Sequence, residues 1–316
     1  MLLITGASGF IGRRLCEIVV NKGIGVRAAV RNHSSSDSFV KTEQIITGDI
    51  GSDTEWRESL EDVDCIVHLA GRAHVTRDDV TNSFTEFRRV NVEGTLNLAR
   101  QAGETGVRRF VFISSIGVNG SCNLKPFTET DIPHPVEPYA ISKFEAEEGL
   151  RQIAESTGME MVIIRPPLVY GPGAPGNFGR LMRVVNKRLP LPLGAVHNKR
   201  SLVALDNLVD LIMTCITHPA ATNQIFLAGD GEDQSTTALL RSLGNALGKP
   251  VWLIPIPLFL LKLGAALIGK PELFRQLCES LQVDISKARK LLGWSPLVNV
   301  DEYLKLTAEH FLESRR

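Results

Sequence analysis

The chain has 316 residues, 43% hydrophobic and 22% charged, with 27 glycines and 16 prolines, which excludes the disordered, fibrous and low-complexity classes. Its 35 Lys and Arg balance 35 Asp and Glu, so there is no basic excess of the kind that sequence-independent nucleic-acid binding requires. Five scattered cysteines with no C-x-x-C, and histidines such as His68 and His74 that lack a helical i,i+4 spacing, argue against a disulfide framework and against a metal site.

Residues 2–5 read as a strand that starts at once, leaving no room for a secretory signal, so a reducing, cytoplasmic setting is expected. Residues 10–21 follow with helical periodicity. Between them Thr5-Gly6-Ala7-Ser8-Gly9-Phe10-Ile11-Gly12 spells G-x-x-G-x-x-G. Gly6 permits a tight turn, Gly9 lets backbone approach a pyrophosphate, and Gly12 lets the helix pack on the strand. The helix start, with Ser8, Phe10 and Ile11 in the same cradle, then offers free N–H groups to phosphate. Residues 26–30 form the second strand. An NAD ribose asks for an acid at its end, but Arg31-Asn32-His33-Ser34-Ser35-Ser36 follows, with none before Asp37. Arg31 suits a 2′-phosphate, and Asn32 and the serines add neutral donors, so NADP is expected, with NAD as the alternative.

Further along, strands at 44–47, 65–70, 110–114 and 161–165 alternate with helices at 90–104 and 139–156. This alternation predicts an α/β fold, a doubly wound parallel sheet, with residues 1–165 as a dinucleotide-binding domain. Prolines and glycines crowd the stretch after Arg165. A helix at 206–217 and a strand at 224–228 are expected to return to the sheet, giving return elements near 200–230. Residues 166–199 and 231–316 are expected to form a smaller, mostly helical substrate domain, a lid without a second sheet. The apolar segment 251–268 is broken by Pro255, Pro257 and Lys262, too short to span a membrane, and is expected to be a buried helix pair or subunit contact ahead of a membrane-surface helix.

Tyr139 and Lys143 stand at i and i+4 of a helix, hence on one face. A nearby ammonium is expected to lower the phenol's pKa, so that Tyr139 can give or take a proton at a carbinol or ketone oxygen. Ser115, at the carboxyl end of the fifth strand, falls where ligands bind in such sheets and can hydrogen-bond the same oxygen.

Together these residues resemble the extended short-chain dehydrogenases/reductases of the nucleotide-sugar epimerase/dehydratase branch, whose Rossmann sheet and substrate lobe the whole chain matches. Gly48-Asp49-Ile50 corresponds to the family's adenine contact, Leu69, Ala70 and Gly71 to the strand end lining the cofactor, and Asn91 to the helix near the nicotinamide half. Arg165 to Pro172 resembles R-x-x-N-x-Y-G-P, with Pro166 among the cofactor contacts. Asp284 to Ala288 and Leu292 to Pro296 resemble the closing helix and turn. The resemblance implies that Lys143 also holds the nicotinamide ribose and that Ser115 and Tyr139 work at the sugar C4 oxygen. It further implies that Asn177 and Arg200 meet the substrate diphosphate and that Leu191 and Leu193 flank the uracil. Leu168 replaces the family's asparagine, and Ile116-Gly117 replaces the Asp-Glu pair of the dehydratases, so dehydration is not expected.

The resemblance then implies NADP-dependent reduction of the C4 ketone of a UDP-4-keto-6-deoxy-N-acetylhexosamine, giving UDP-N-acetylquinovosamine or UDP-N-acetylfucosamine for surface polysaccharide such as O-antigen. The alternative is a UDP-sugar 4-epimerase acting on UDP-glucose/UDP-galactose or their N-acetyl forms. A remote third reading is a non-catalytic NADP-binding sensor or structural subunit. A homodimer through the helices at 90–104 and 139–156 is also implied, with no nucleic-acid partner and no transmembrane segment.

Overall fold

The computed structural model describes residues 1–32, 42–73 and 80–314. The sequence expectations for His33, Ser34 to Ser36, Asp37 and His74 lie outside the described residues.

The buried run Leu2–Thr5 is β1, and Phe10–Asn21, with Leu15, Cys16 and Val19 inward, is α1. Val26–Val30 (β2), Glu43–Ile46 (β3) and Cys65–His68 (β4) follow. Val80–Arg88 (α2) runs through a π-helical turn, Arg89–Gly94, into Thr95–Glu104 (α3). The helix read from residue 90 is thus the second half of a longer one, and a π turn inside it is a frequent mark of a functional site. Arg109–Ile113 is β5, Pro138–Thr157 is α4, and Glu160–Arg165 is β6. Pro138 occupies the first turn of α4, where its missing N–H is harmless, and Gly158 ends the helix in the left-handed conformation.

Leu168–Tyr170 (β7), Gly176–Asn186 (α5), Arg200–Ala204 (β8), Leu205–Thr217 (α6), Gln224–Leu227 (β9) and Asp233–Gln234 (β10) come next. The remaining helices are Thr236–Ala246 (α7), Leu258–Leu267 (α8), Pro271–Cys278 (α9), Ser286–Leu292 (α10) and Val300–Glu313 (α11).

Seven strands form one sheet in the order β3-β2-β1-β4-β5-β6-β9, parallel at every pairing. Strand order reverses direction between β1 and β4, so the crevice at their carboxyl ends is the topological switch point where ligands bind in such folds. Side chains alternate across the sheet. Leu2, Ile4, Val67, Val111 and Ile164 face the core shared with α1 and α6, whereas Leu3, Ile66, Phe110, Phe112 and Ile163 face the one shared with α3 and α4. Burial on both faces explains the near-continuous apolar strands.

Two expectations need correction. The C-terminal region does contain a second sheet, three-stranded, in the order β10-β8-β7. Its strands are two to five residues long and lie among prolines and glycines, too short for a period of two to register. The segment 251–268 is also not a buried helix pair: no residue of α8 is buried.

Candidate active site

The cradle at the switch point is shaped by what glycine lacks. Gly6 adopts φ +65°, and a Cβ there would lie 2.7 Å from the amide nitrogen of Ala70, which itself donates to Thr5 Oγ1 at 3.2 Å. A Cβ on Gly12 would stand 2.2 Å from the Gly6 carbonyl oxygen. The first turn of α1 is therefore pressed against the end of β1. Gly9, at the N-cap with no side-chain cap, is exposed, and a Cβ there would meet only the Gly6 oxygen at 3.1 Å. The opening above Gly9 and the uncapped helix start fit a pyrophosphate. Two substitutions separate packing from binding. Gly12→Ala should destabilise the fold by about 3 kcal/mol through overpacking. Gly9→Ala should stay within about 1 kcal/mol of wild type while losing roughly tenfold or more in dinucleotide affinity. Urea melts and a fluorescence titration with the dinucleotide read the two effects apart.

Ser8 and the half-buried Phe10 and Ile11 complete this turn, Ser8 through a carbonyl that accepts from Arg13 Nε at 2.8 Å. At the far end of the crevice Arg31 Nε lies 3.1 Å from Asp49 Oδ1, with both side chains exposed. Ile50 is buried, and a Cβ on Gly94 would lie 2.6 Å from its Cγ2. Leu69 and Ala70 are half-buried at the mouth beside Gly6.

The carboxyl end of β5 and the first turns of α4 meet on the other side of the crevice. Lys143 is buried, donates from Nζ to the Ile113 carbonyl at 2.9 Å, and lies 4.4 Å from the centre of the Phe112 ring. Burial pushes its pKa down to about 8, against the opposing pull of the Glu147 carboxylate. Ser115 has extended backbone and accepts from the Gly117 amide through Oγ at 3.1 Å. Ala140 packs against that turn: its Cβ would be 3.1 Å from a Cβ on Gly117. The Ile116 amide donates to the Pro166 carbonyl at 3.0 Å, which fixes the serine turn to the end of β6. Tyr139, half-buried, meets Phe87 edge-on at 6.1 Å between ring centres. Its phenol is pushed up to about 12 by burial. The expected lowering by Lys143 is thus not what the structure gives: desolvation of the ring decides the direction.

Gly71 lies against the same ammonium. A Cβ there would come within 3.3 Å of Lys143 Nζ and 3.2 Å of Asn91 Oδ1. Asn91 belongs to the π turn and is fully buried. Its Oδ1 accepts from the Arg72 amide at 2.8 Å, and its Nδ2 donates to the Arg72 carbonyl at 3.1 Å and to Ser142 Oγ at 3.0 Å. The structure therefore makes Asn91 a clamp that joins the end of β4 to α4. His68 is a strut: its ring is bonded to Thr5 at 2.7 Å and Thr95 at 3.0 Å. Burial, with Lys143 nearby, pushes its pKa down to about 3, so it stays neutral.

Beneath Lys143 lies a cluster that the sequence reading did not single out. Glu147 is wholly buried, accepts from Ser114 Oγ, and is held by Arg165, with Nε on Oε1 at 2.9 Å and Nη2 on Oε2. Arg165 Nη1 donates to Asn119 Oδ1 at 2.9 Å. The signal was present: Tyr139, Lys143 and Glu147 repeat at i, i+4 and i+8, and one more turn of the same face reaches the glutamate. Phe87 had no such signature.

The expected substrate contacts are spread more widely. Asn177 is exposed in the first turn of α5. Arg200 begins β8, on the same small sheet as Leu168, and its Nη1 donates to the Glu279 carbonyl at 3.1 Å. Burial lowers the pKa of this guanidinium, with Glu279 opposing, so an anion placed against it would relieve the cost. Leu191 is engaged elsewhere: its amide donates to Trp252 O at 2.9 Å and its carbonyl accepts from Ile254 at 2.8 Å. The Leu193 carbonyl accepts from Thr237 Oγ1 at 2.6 Å.

The sequence profile of the NAD dependent epimerase/dehydratase family matches residues 2–229. A UDP-glucose 4-epimerase of Vibrio cholerae is 45% identical over 317 aligned residues, which cover 99% of this chain and 96% of that protein. The solved structure of a UDP-glucose 4-epimerase from Thermotoga maritima, holding UDP-glucose, superposes with a TM-score of 0.79 at 25% identity, covering 100% of this chain and 99% of its own. That of a UDP-glucuronic acid 4-epimerase from Bacillus cereus with NAD shares the fold, with a TM-score of 0.81 at 21% identity over 100% of this chain and 99% of its own.

Proposed function

The chain belongs to the NAD dependent epimerase/dehydratase family, and from that premise we propose that it is a UDP-sugar 4-epimerase, converting between the C4 epimers of a UDP-hexose such as UDP-glucose and UDP-galactose or their N-acetyl forms. The observation that carries this reading is the 45% identity, end to end, with the Vibrio cholerae UDP-glucose 4-epimerase. It moves the 4-epimerase ahead of the 4-ketoreductase.

A nicotinamide dinucleotide, when bound, accepts a hydride from a sugar carbon and returns it. The chain's own residues do the rest. Gly6 to Gly12 hold the pyrophosphate, and Gly71 keeps a flat surface against Lys143. Tyr139 takes the proton of the sugar 4-hydroxyl as hydride leaves C4, and gives it back to the ketone oxygen when hydride returns to the other face. Ser115 hydrogen-bonds the same oxygen, and the Lys143 ammonium favours the phenolate during the transfer. Arg200 meets the UDP diphosphate. The test is to incubate the purified protein with UDP-glucose and no reductant. UDP-galactose should form with no net change in nicotinamide absorbance. Consumption of NADPH with a UDP-4-keto-6-deoxy-N-acetylhexosamine, without interconversion of UDP-hexoses, would overturn the reading in favour of the reductase, for which apolar Leu168 and Arg31 speak.

The cofactor's 2′ position is a separate matter. The Arg31–Asp49 pair is exposed at both ends, so it contributes little and leaves the guanidinium available to a 2′-phosphate. Arg31→Ala should lower NADP affinity about tenfold and leave NAD affinity essentially unchanged. Equal effects on both would remove the NADP assignment. We also propose a homodimer through α3 and α4, which light scattering giving a monomer mass would dismiss.

A further inference from the structure

A helix that is apolar on all sides is normally buried. Helix α8 is not: of the ten residues Leu258–Leu267 only Lys262 is charged, yet none is buried. Phe259 is 70% exposed, Leu263 56% and Leu267 79%, at i, i+4 and i+8 on one face. The same helix rests on α9, and Leu261, Phe274 and Leu277 pack inward against the core, so the hairpin is anchored with its outer face open. Trp252, ahead of α8 in the chain, and Ile268, at its C-cap, are exposed as well. Leu189, also exposed, lies two residues before Leu191, which backbone bonds tie to Trp252 and Ile254.

Charge decides what this surface suits. The chain as a whole is neutral, but residues 234–271 contain four basic residues and no acid, and residues 176–205 contain six and no acid. Lys262 within α8 and Lys270 just after it are exposed, as are Lys187 and Arg188 next to Leu189. The one nearby acid on α9, Glu272, is paired with Arg275. A two-fold contact with a second copy would set these cations against themselves, because both partners of such an interface present the same patch. An apolar face with a rim of lysine and arginine, and a tryptophan at its edge, instead matches an anionic bilayer surface. Ten helical residues reach about 15 Å, half of a hydrocarbon core, and none of the described helices is long and apolar enough to cross.

We propose that the α8–α9 hairpin, with the loops at Leu189 and Trp252, docks this protein on an anionic lipid surface, α8 lying in the plane of the interface. The docking holds whichever sugar is used. It would place the loop at Leu191 to Gly194, bonded to residues 252–254, on the membrane side of the protein.

The test is co-sedimentation of the full-length protein with vesicles of phosphatidylcholine alone and of phosphatidylcholine mixed with phosphatidylglycerol. Binding is expected to the mixed vesicles, with a blue shift of Trp252 emission that Trp252→Phe abolishes, and it should weaken as salt rises. The double variant Phe259→Ser/Leu263→Ser should partition at least about tenfold less while its sugar conversion in solution matches wild type. Lys262→Glu/Lys270→Glu should reduce binding to the phosphatidylglycerol vesicles. Wild-type protein remaining in the supernatant with those vesicles would overturn the proposal. So would an oligomer that the Phe259→Ser/Leu263→Ser substitutions dissociate, since the face would then pair with a second copy.

Discussion

Tyr139→Phe is expected to lower kcat roughly a thousandfold, within the range a positioned acid–base group supplies, while dinucleotide binding and the melting temperature stay close to wild type. The variant loses one oxygen and keeps the ring that packs edge-on against Phe87, so a loss of rate without a loss of fold isolates the proton-transfer role. The direction of the phenol's pKa sharpens the expectation. Held near 12 by burial, Tyr139 is protonated at neutral pH and ready to donate. The oxidative half of the proposed reaction needs the phenolate, and Lys143, one turn along α4 from Tyr139, is the cation proposed to favour it. Because burial holds that ammonium near 8, its contribution fades as pH rises through that value, and the rate should decline on the alkaline side. Lys143→Met should remove the limb and most of the rate together. A Tyr139→Phe enzyme that turned over normally would end the assignment, and pH–rate profiles of the three proteins would show where.

The parts of this site that were legible in the sequence are those where backbone or helical spacing leaves few options. Gly6 and Gly12 announce themselves because a Cβ at either would strike backbone within 3 Å. Tyr139 and Lys143 are fixed by the period of α4. The inner strands of the seven-stranded sheet were legible because strands buried on both faces are near-continuous apolar runs, whereas the edge strand β3, with no buried residue, is not such a run. What stayed hidden depends on neighbours distant in sequence. The pKa of Tyr139 moved against expectation because spacing reports proximity to Lys143 but not desolvation. The bonds that join Asn91 to Arg72 and Ser142 run through a π turn that no periodicity marks. The small sheet was hidden by strands such as Asp233–Gln234, held in place by pairing with Ser201 and Arg200 rather than by any pattern of their own. The open face of α8 shows the same limit, since apolar periodicity predicts burial but does not supply the surface that would cover it.

Glu147→Leu tests the least legible part, and its effect falls first on stability. The glutamate is wholly buried, and its removal strands the Arg165 guanidinium, only 1% exposed, with Asn119 as its remaining partner. Breaking one side of a buried pair costs about 3–5 kcal/mol because the surviving charge stays desolvated. For a chain of this length that is a fall in melting temperature on the order of 5–8 °C. Arg165→Met alone should cost less, because the carboxylate keeps Ser114 Oγ and the more distant Arg151 guanidinium, 3.5 Å away, as partners. The double variant should recover most of the loss, since an apolar pair of similar volume often replaces a buried ion pair at little cost. A calorimetric double-mutant cycle measures the coupling directly, and additive losses would show that the pair acts only through volume. Glu147→Gln carries the link to catalysis. The carboxylate opposes the effect of burial on Lys143, so neutralising it should drop the ammonium's pKa below 8 and move the alkaline limb of the rate profile toward lower pH. A purely structural Glu147 would lower the melting temperature and leave that limb where it was. A limb that does move would show that the ion pair made by Glu147 of α4 owes its place to the positioning of Lys143 as much as to the stability of the helix that carries it.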